Sequence, residues 1–439
     1  MAFLPRSRVF WAVAAGHMTN DFFMSTGPVL LAFLSLHLFP ISNTQIGLAV
    51  SSRQLMGSFS QPFFGWLADK RGTRELGTLG VAWSVSFIML AMALALTEHF
   101  WLMIIPYALS ALGSGAFHPA GAMNAAEADH TRSASNLSIF FFAGQLGLAL
   151  GPAVVGLLLD FTTTHHNIFT ATLPALNGRV LEQGSIWPVF VLGLAAIPAV
   201  FFMGFSLPRA EPKPAVVAVE ETTQVAKSSP FAGIVWKTFL IFALMVTIRS
   251  FAQPGIVPFI PVLFSGKGWT SAQFGLITSL FWLSSGIAGM VFGNLADRFD
   301  RRYVMAIGTI ASAPMVFLLP ITDGVTAFVV AIAAGGLSGG SHSIIVVMAQ
   351  EIIPGKKGFA SGAILGFIFG SGALGTFVIG LLSDAIGLTA AFEIVAGMLV
   401  VAALTALALP ATLAFRPDVT LRRNEREAQA ATVSSAAGR

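Results

Sequence analysis

The 439 residues include no cysteine, which removes disulfide staples and thiolate metal sites together. Charge is scarce as well. Asp, Glu, Lys and Arg make up 10% of the chain, where a soluble protein carries about 25%. Enzyme signatures are missing: there is no HExxH, no P-loop and no GxSxG. No polar stretch is long enough to fold into the soluble domain that a membrane sensor needs. Nor does the start resemble a cleavable signal peptide, because the first apolar stretch, from about Val9, is too long for an h-region. What is present is apolar. The chain is 55% hydrophobic with mean hydropathy +0.79, more than a soluble interior can hide, so lipid must solvate much of its surface. The 39 phenylalanines read as lipid-facing and packing residues. A net charge of +4 reflects which loops hold the basic residues, and no nucleic-acid partner is expected.

Apolar stretches of spanning length, about 20 residues, fall at 9–37, 43–68, 75–96, 100–126, 133–160, 185–207, 233–265, 271–296, 303–320, 325–350, 358–383 and 388–413. They predict an all-α integral membrane protein with twelve transmembrane helices, numbered 1 to 12 in that order. Helices 1 and 7 contain proline (Pro28; Pro254, Pro258 and Pro261) and should tilt or bend. Lys70, Arg71, Arg74, Arg298, Arg301, Arg302, Lys356 and Lys357 fall in loops on one side, against Arg179 and Lys267 on the other. The positive-inside rule then puts both termini in the cytoplasm and the chain in the cell's inner membrane. Residues 208–230 read as a flexible cytoplasmic linker between two six-helix bundles, 1–207 and 231–415. Residues 416–439 read as a charged cytoplasmic tail, and 161–184 as a polar external loop.

The halves repeat. Under a shift of 228 residues, Gln45, Gly47, Leu48, Ser51, Gly65, Asp69 and Arg74 meet Gln273, Gly275, Leu276, Ser279, Gly293, Asp297 and Arg302. Under a shift of 224, Gly115, His118, Glu127, Gly151, Gly156 and Asp160 meet Gly339, His342, Glu351, Gly375, Gly380 and Asp384. Two ordered blocks of matches indicate pseudo-symmetric bundles with a binding site near the midplane. The decapeptides GWLADKRGTR (65–74) and GNLADRFDRR (293–302), which leave helices 2 and 8, resemble the loop 2–3 signature of the major facilitator superfamily. That resemblance implies that Asp69 docks on the start of helix 11, near Gly358 and Phe359, as a latch. Its mate Asp297 would dock near Ser133 and Ala134. Glu127 and Glu351 are expected to pair with loop arginines. GHMTND (16–21), RQLMGSFSQP (53–62), GSGAFHPAGA (113–122) and SIFFFAGQLGLALGP (138–152) are together similar to the fosmidomycin-resistance branch. This implies efflux of small, often anionic compounds driven by proton entry. The helix 5 run Gly147, Gly151, Pro152 and Gly156 is similar to an antiporter motif, departing from it at Val155. The helix 4 arginine of many proton-coupled members is absent around Ser110 and Ala111.

Polar residues inside apolar helices cost energy, about 2.5–3.5 kcal/mol for a carboxylate, and so mark a cavity or a partner. Asp21 lies mid-helix in helix 1, on one face with His17, Asn20 and Met24. Arg53 and Arg249 lie mid-helix in helices 2 and 7, and Asp21 and Arg249 are repeat mates. One acid between two arginines suits an anionic or polar small molecule, with proton coupling through Asp21; alternatively the three form a structural ion pair. Gln54, Gln145 and Gln253 lie at similar depth, and Trp282 takes the place in helix 8 that Gln54 has in helix 2. His118 and His342 either relay protons or fix helix bends. His17 and Asp21 also have the i, i+4 spacing of metal ligands, but no metal and no cofactor is expected beyond the proton gradient. Glu393 has no evident role. The predicted protein is a monomeric proton-coupled exporter, with an importer or facilitator of the same fold as alternative and a membrane sensor as the non-transport reading.

Overall fold

The computed structural model describes residues 5–128, 133–164, 186–209, 235–352 and 357–410, and no strand occurs among them. The tail and almost all of the expected linker and external loop lie outside the described residues. Twelve helical spans follow: α1 (Arg8–His37), α2 (Asn43–Arg71), α3 (Arg74–Ala95), α4 (Phe100–Glu127), α5 (Ser133–Thr164) and α6, in two pieces (Trp187–Leu194 and Ile197–Ser206). Next come α7 (Trp236–Ile256, continued through Val257–Phe259 and Ile260–Ser265), α8 (Ser271–Ala296) and α9 (Arg301–Leu318). The last three are α10 (Gly324–Gly339 and Ser341–Ile352), α11 (Lys357–Ile386) and α12 (Leu388–Leu407). Ten of the described spans are long and apolar enough to cross a membrane. α1 and α2 are long enough but less apolar, since they carry the polar residues His17, Asn20 and Asp21, and Ser51, Ser52, Arg53 and Gln54.

Of the two helices expected to bend, only α7 breaks. Pro258 and Pro261 stand at the first turns of its second and third pieces, where a missing N–H costs nothing. α1 runs through Pro28 without interruption.

The face where α1 begins is called proximal here, and the face where it ends distal. On the distal side the halves close through two matching crossings, α2 on α11 and α5 on α8. Repeat mates make the same contacts at both. Gly47 packs on the Thr376 carbonyl and Gly275 on the Pro152 carbonyl, while Gly380 packs on Asn43 and Gly156 on Ser271. A Cβ at any of these four would strike backbone, which is why glycine stands there. Ser51 Oγ donates to the Ala373 carbonyl at 2.6 Å, and its mate Ser279 Oγ accepts from Ala153 N at 2.8 Å. Ser42 with Gln45, and Thr270 with Gln273, form capping boxes at the starts of α2 and α8.

The apolar clusters show where the molecule opens. The largest, around Phe33, Ile46, Val155, Phe259, Ile277 and Ile379, draws on both halves at the distal side. Nearer the proximal face the core splits. One cluster, from Phe242 to Leu409, belongs wholly to the second half, and another, from Phe10 to Leu207, wholly to the first. Gly289, Gly366 and Gly370 face open space there. Phe59, 78% exposed, and Phe63 and Met290 are exposed too. The cleft between the halves therefore opens on the proximal side.

Candidate functional site

Midway along α1, where one helical face carries His17, Asn20 and Asp21, α4 and α5 pack close. His17 and Asn20 are buried, and Asp21 is nearly so. Asp21 Oδ2 lies 3.2 Å from His17 Nε2, and Oδ1 lies 3.5 Å from His118 Nε2. Asn20 Nδ2 donates to Asp21 Oδ1 at 2.9 Å and to Ser114 Oγ at 3.0 Å. The far side of each imidazole rests on a backbone carbonyl: His17 Nδ1 is 2.8 Å from the Phe140 oxygen, and His118 Nδ1 is 2.8 Å from the Ser114 oxygen. His17 also stacks on Phe140, with ring centroids 4.1 Å apart. The three ionisable groups form one compact cluster built by the first half alone, with His118 on its more open side.

The expected pairing of Asp21 with the buried arginines is not what the structure has. Neither Arg53 nor Arg249 makes a salt bridge with Asp21. Arg53, 4% exposed, gives Nη1 to the Met24 carbonyl at 2.9 Å and Nε to Ser110 Oγ at 3.1 Å. Its guanidinium also lies over the Tyr107 ring, 4.8 Å from the centroid. Met24 is four residues before Pro28, so its carbonyl has lost the helical N–H it would have accepted from. Arg53 supplies that donor and so lets α1 pass its proline unbroken.

Arg249, 1% exposed, gives Nε to Ser341 Oγ at 2.6 Å, and Nη2 to the Ser338 carbonyl at 2.8 Å and to Gln253 Oε1 at 3.1 Å. Ser338 and Ser341 flank the break in α10 at Gly340. Arg249 Nη1 is buried and has no hydrogen-bond partner. His342 follows Ser341 in the second piece of α10, and no carboxylate bridges Arg249 among the described residues. The molecule thus carries an acid between two imidazoles in one half, and at the repeat-related place in the other a guanidinium with a free N–H edge.

A helical pair of bundles with ionisable groups at mid-depth and a cleft open at one face narrows the choice of family, and the sequence match decides it. The family model of the Major Facilitator Superfamily matches residues 9–262 and 242–437. The chain belongs to the Major Facilitator Superfamily. It is a multi-pass membrane transporter and not an enzyme. The fosmidomycin resistance protein of Escherichia coli (strain K12) is 26% identical over 388 residues, 88% of this chain and 89% of that protein. The "Uncharacterized MFS-type transporter YfnC" of Bacillus subtilis (strain 168) is 29% identical over 384 residues, 85% of this chain and 86% of that one. A bacterial homologue of the human lysosomal transporter Spinster, solved in an inward-facing and occupied conformation, superposes with a TM-score of 0.74. It covers 93% of this chain and 98% of its own, at 15% identity.

The remaining residues of this Major Facilitator chain divide by face. Gln145, Trp282 and Gly286 meet where α5 crosses α8, at the margin of the cleft. Gln54 is on α2 with its side-chain oxygen buried and unpartnered, and Gln253 is engaged by Arg249. At the proximal ends Asp69, Asp297 and Glu127 are exposed. The side chains of the docking positions expected for Asp69 and Asp297, at Gly358, Phe359, Ser133 and Ala134, lie outside the described ones. Arg74 gives Nε to the Gly204 carbonyl at 2.8 Å, tying α3 to α6. Arg302 pairs with Asp300 at 2.6 Å and donates to the Leu409 carbonyl at 2.9 Å. Glu351 pairs with Arg301, the first residue of α9, where the sequence suggests a loop arginine.

Two functional placements escaped the sequence. His118 closes the Asp21 cluster, which depends on how α4 is rotated against α1. Asp384 ends α11 and accepts from Asn43 N at 2.9 Å and Thr44 N at 2.8 Å, binding the first turn of α2 across the two halves. The sequence signal for Asp384 is its repeat match with Asp160.

Proposed function

We propose that this transporter is a proton-driven exporter of small polar or anionic compounds, working by alternating access as a monomer in the cell's inner membrane and needing no cofactor. The observation that carries the substrate class is Arg249. A guanidinium this deeply buried, with no carboxylate bridging it and one N–H edge unmet, holds a positive charge that an incoming oxyanion would satisfy. Gln253 and Ser341 are its neutral partners, and His342 follows Ser341 in α10. The name of the Escherichia coli relative supports efflux, since resistance to a phosphonate is what an exporter would confer. A cation-accepting cluster around Asp21, in the opposite half from Arg249, supports coupling between two separate charges. The basic loop residues Lys70, Arg71, Arg74, Arg298, Arg301 and Arg302 support a cytoplasmic proximal face. With that orientation both termini are cytoplasmic and the cleft is inward-open.

The experiment is uptake of fosmidomycin into inside-out vesicles that contain the protein, with and without an inside-acid pH gradient. Accumulation that needs the gradient, and that collapses when the gradient is dissipated, is the expected result. Accumulation indifferent to the gradient would remove proton drive. A preference for cationic compounds, improved by Arg249→Gln, would reverse the substrate class.

A further inference from the structure

His17 Nδ1 and His118 Nδ1 each lie 2.8 Å from a backbone carbonyl. A carbonyl can only accept, so each Nδ1 carries the hydrogen. In a neutral imidazole the opposite nitrogen, Nε2, then presents a lone pair. Both Nε2 atoms face the Asp21 carboxylate, at 3.2 and 3.5 Å. Three electron-pair donors thus converge with a summed charge of minus one. A single proton joins one imidazole to the carboxylate and leaves the other lone pair against it. One divalent cation satisfies all three.

The dimensions agree. A tetrahedral zinc site with bonds of about 2.0–2.1 Å has ligand-to-ligand edges of about 3.3–3.4 Å; His17 Nε2 is 3.2 Å from Asp21 Oδ2, and His118 Nε2 is 3.5 Å from the other carboxylate oxygen, Oδ1. All three ligand atoms lie within 4.8 Å of one another, so the widest pair closes with a movement of about 1–2 Å. His118, whose side chain is 26% exposed, stands on the open side and precedes Pro119, where the helix is loosened. The carbonyl behind each imidazole is the outer support that metal-bound histidines have, fixing ring and tautomer. Gly144 of α5 packs so close that a Cβ there would lie 2.5 Å from His17 Nε2 and 2.8 Å from Asp21 Oδ2, so its backbone holds both atoms in place. One further observation points to a ligand. Asn20 Oδ1 is a buried acceptor with no partner in the same cluster.

We propose that His17, Asp21 and His118 form a binding site for a divalent transition-metal ion of the Zn²⁺, Co²⁺ or Ni²⁺ class, with its fourth position open to the cleft. Imidazole and carboxylate donors without thiolate suit these ions. Among the described residues the second half has no such cluster, and the mate of His118 follows Ser341, a partner of the Arg249 guanidinium. The site is made by one half alone and does not depend on the export reading.

The test uses the full chain, purified in detergent with a histidine-free tag, stripped of metal and titrated with CoCl₂ alone. One Co²⁺ per chain with the visible d–d bands of tetrahedral coordination is expected, displaced by Zn²⁺ and raising the thermal unfolding temperature. Asp21→Asn and His118→Gln should each weaken binding about tenfold or more, and Gly144→Ala should abolish it, because its Cβ would displace His17 Nε2 and Asp21 Oδ2. Should Asp21→Asn fail to fold, His118→Gln decides. Absence of the bands, or bands and stoichiometry that every variant retains, would overturn the site. A chain that exports fosmidomycin but binds no Co²⁺ rejects the metal and keeps the exporter; one that binds Co²⁺ without exporting does the reverse.

Discussion

A guanidinium buried among apolar helices must find acceptors for five N–H bonds, and the two mid-membrane arginines meet that demand differently. Arg53 spends its donors on α1, chiefly on the carbonyl that Pro28 left open. Arg53→Met should therefore lower thermal stability in detergent by about 1–3 kcal/mol, the cost of a buried group left unpaired. Pro28→Ala restores the missing N–H, so the same substitution in that background should cost measurably less. Equal losses in both backgrounds would show that Arg53 acts elsewhere. Arg249 keeps an unmet edge, so its replacement should affect ligand before fold. Arg249→Lys preserves charge but loses the planar fork. Binding of fosmidomycin should weaken several-fold while the unfolding temperature of the unliganded protein changes little. The buried positions of these residues were legible as polar breaks in apolar runs. Their partners were not, because opposite charges at repeat-related places suggested an ion pair. The structure instead resolves each charge within its own half.

At the level of the helix, carboxylates at helix ends set the balance between open and closed faces. Asp384 accepts two backbone N–H groups of the first turn of α2, so it favours distal closure. Asp69 sits exposed on the open proximal face, free to serve the proximal closure that its motif implies. The two substitutions should push accessibility in opposite directions. Asp384→Asn should raise labelling of a cysteine at Val50, now buried under the distal crossing. Asp69→Asn should raise labelling of one at Gly370, which faces open space towards the proximal side. A change of about 1–2 kcal/mol moves each population about 5- to 30-fold. The cysteine-free chain makes the readout clean. Identical labelling in parent and variants would leave both acids as mere helix caps. On the distal loops, Asp323 accepts from Gly324 N and from Trp269 Nε1. The Gly324 N–H first, and the indole second, hold its carboxyl below the ordinary 3.8. A depressed carboxyl stabilises the fold above its unfolded value and loses that effect as pH falls through the folded one. Trp269 emission should accordingly change only at pH below the ordinary carboxylate range, and Asp323→Asn should remove the transition. Capping residues of this kind were partly readable in advance: Gln45 and Gln273 matched under the repeat because both complete capping boxes. The glycine and serine mates matched because both crossings need close backbones.

For the whole molecule, the halves meet among the described helices chiefly at α2 on α11 and α5 on α8. Coexpressed segments 1–209 and 235–439 should therefore co-purify and bind fosmidomycin, and failure to associate would assign the joining to residues 210–234. The two crossings have a further consequence. α11 repeats α5, and α8 repeats α2, so both crossings are one contact made twice. Two identical copies of one half would meet through that surface as a two-fold dimer. In such a pair, any side chain at the place of Asp21 would appear in both copies, and both subunits would carry the same charge. Only after the two copies became one gene product could that place hold aspartate in one bundle and arginine in the other. One lobe thus holds a carboxylate where its twin holds a guanidinium, a difference that a homodimer is forbidden by its own symmetry.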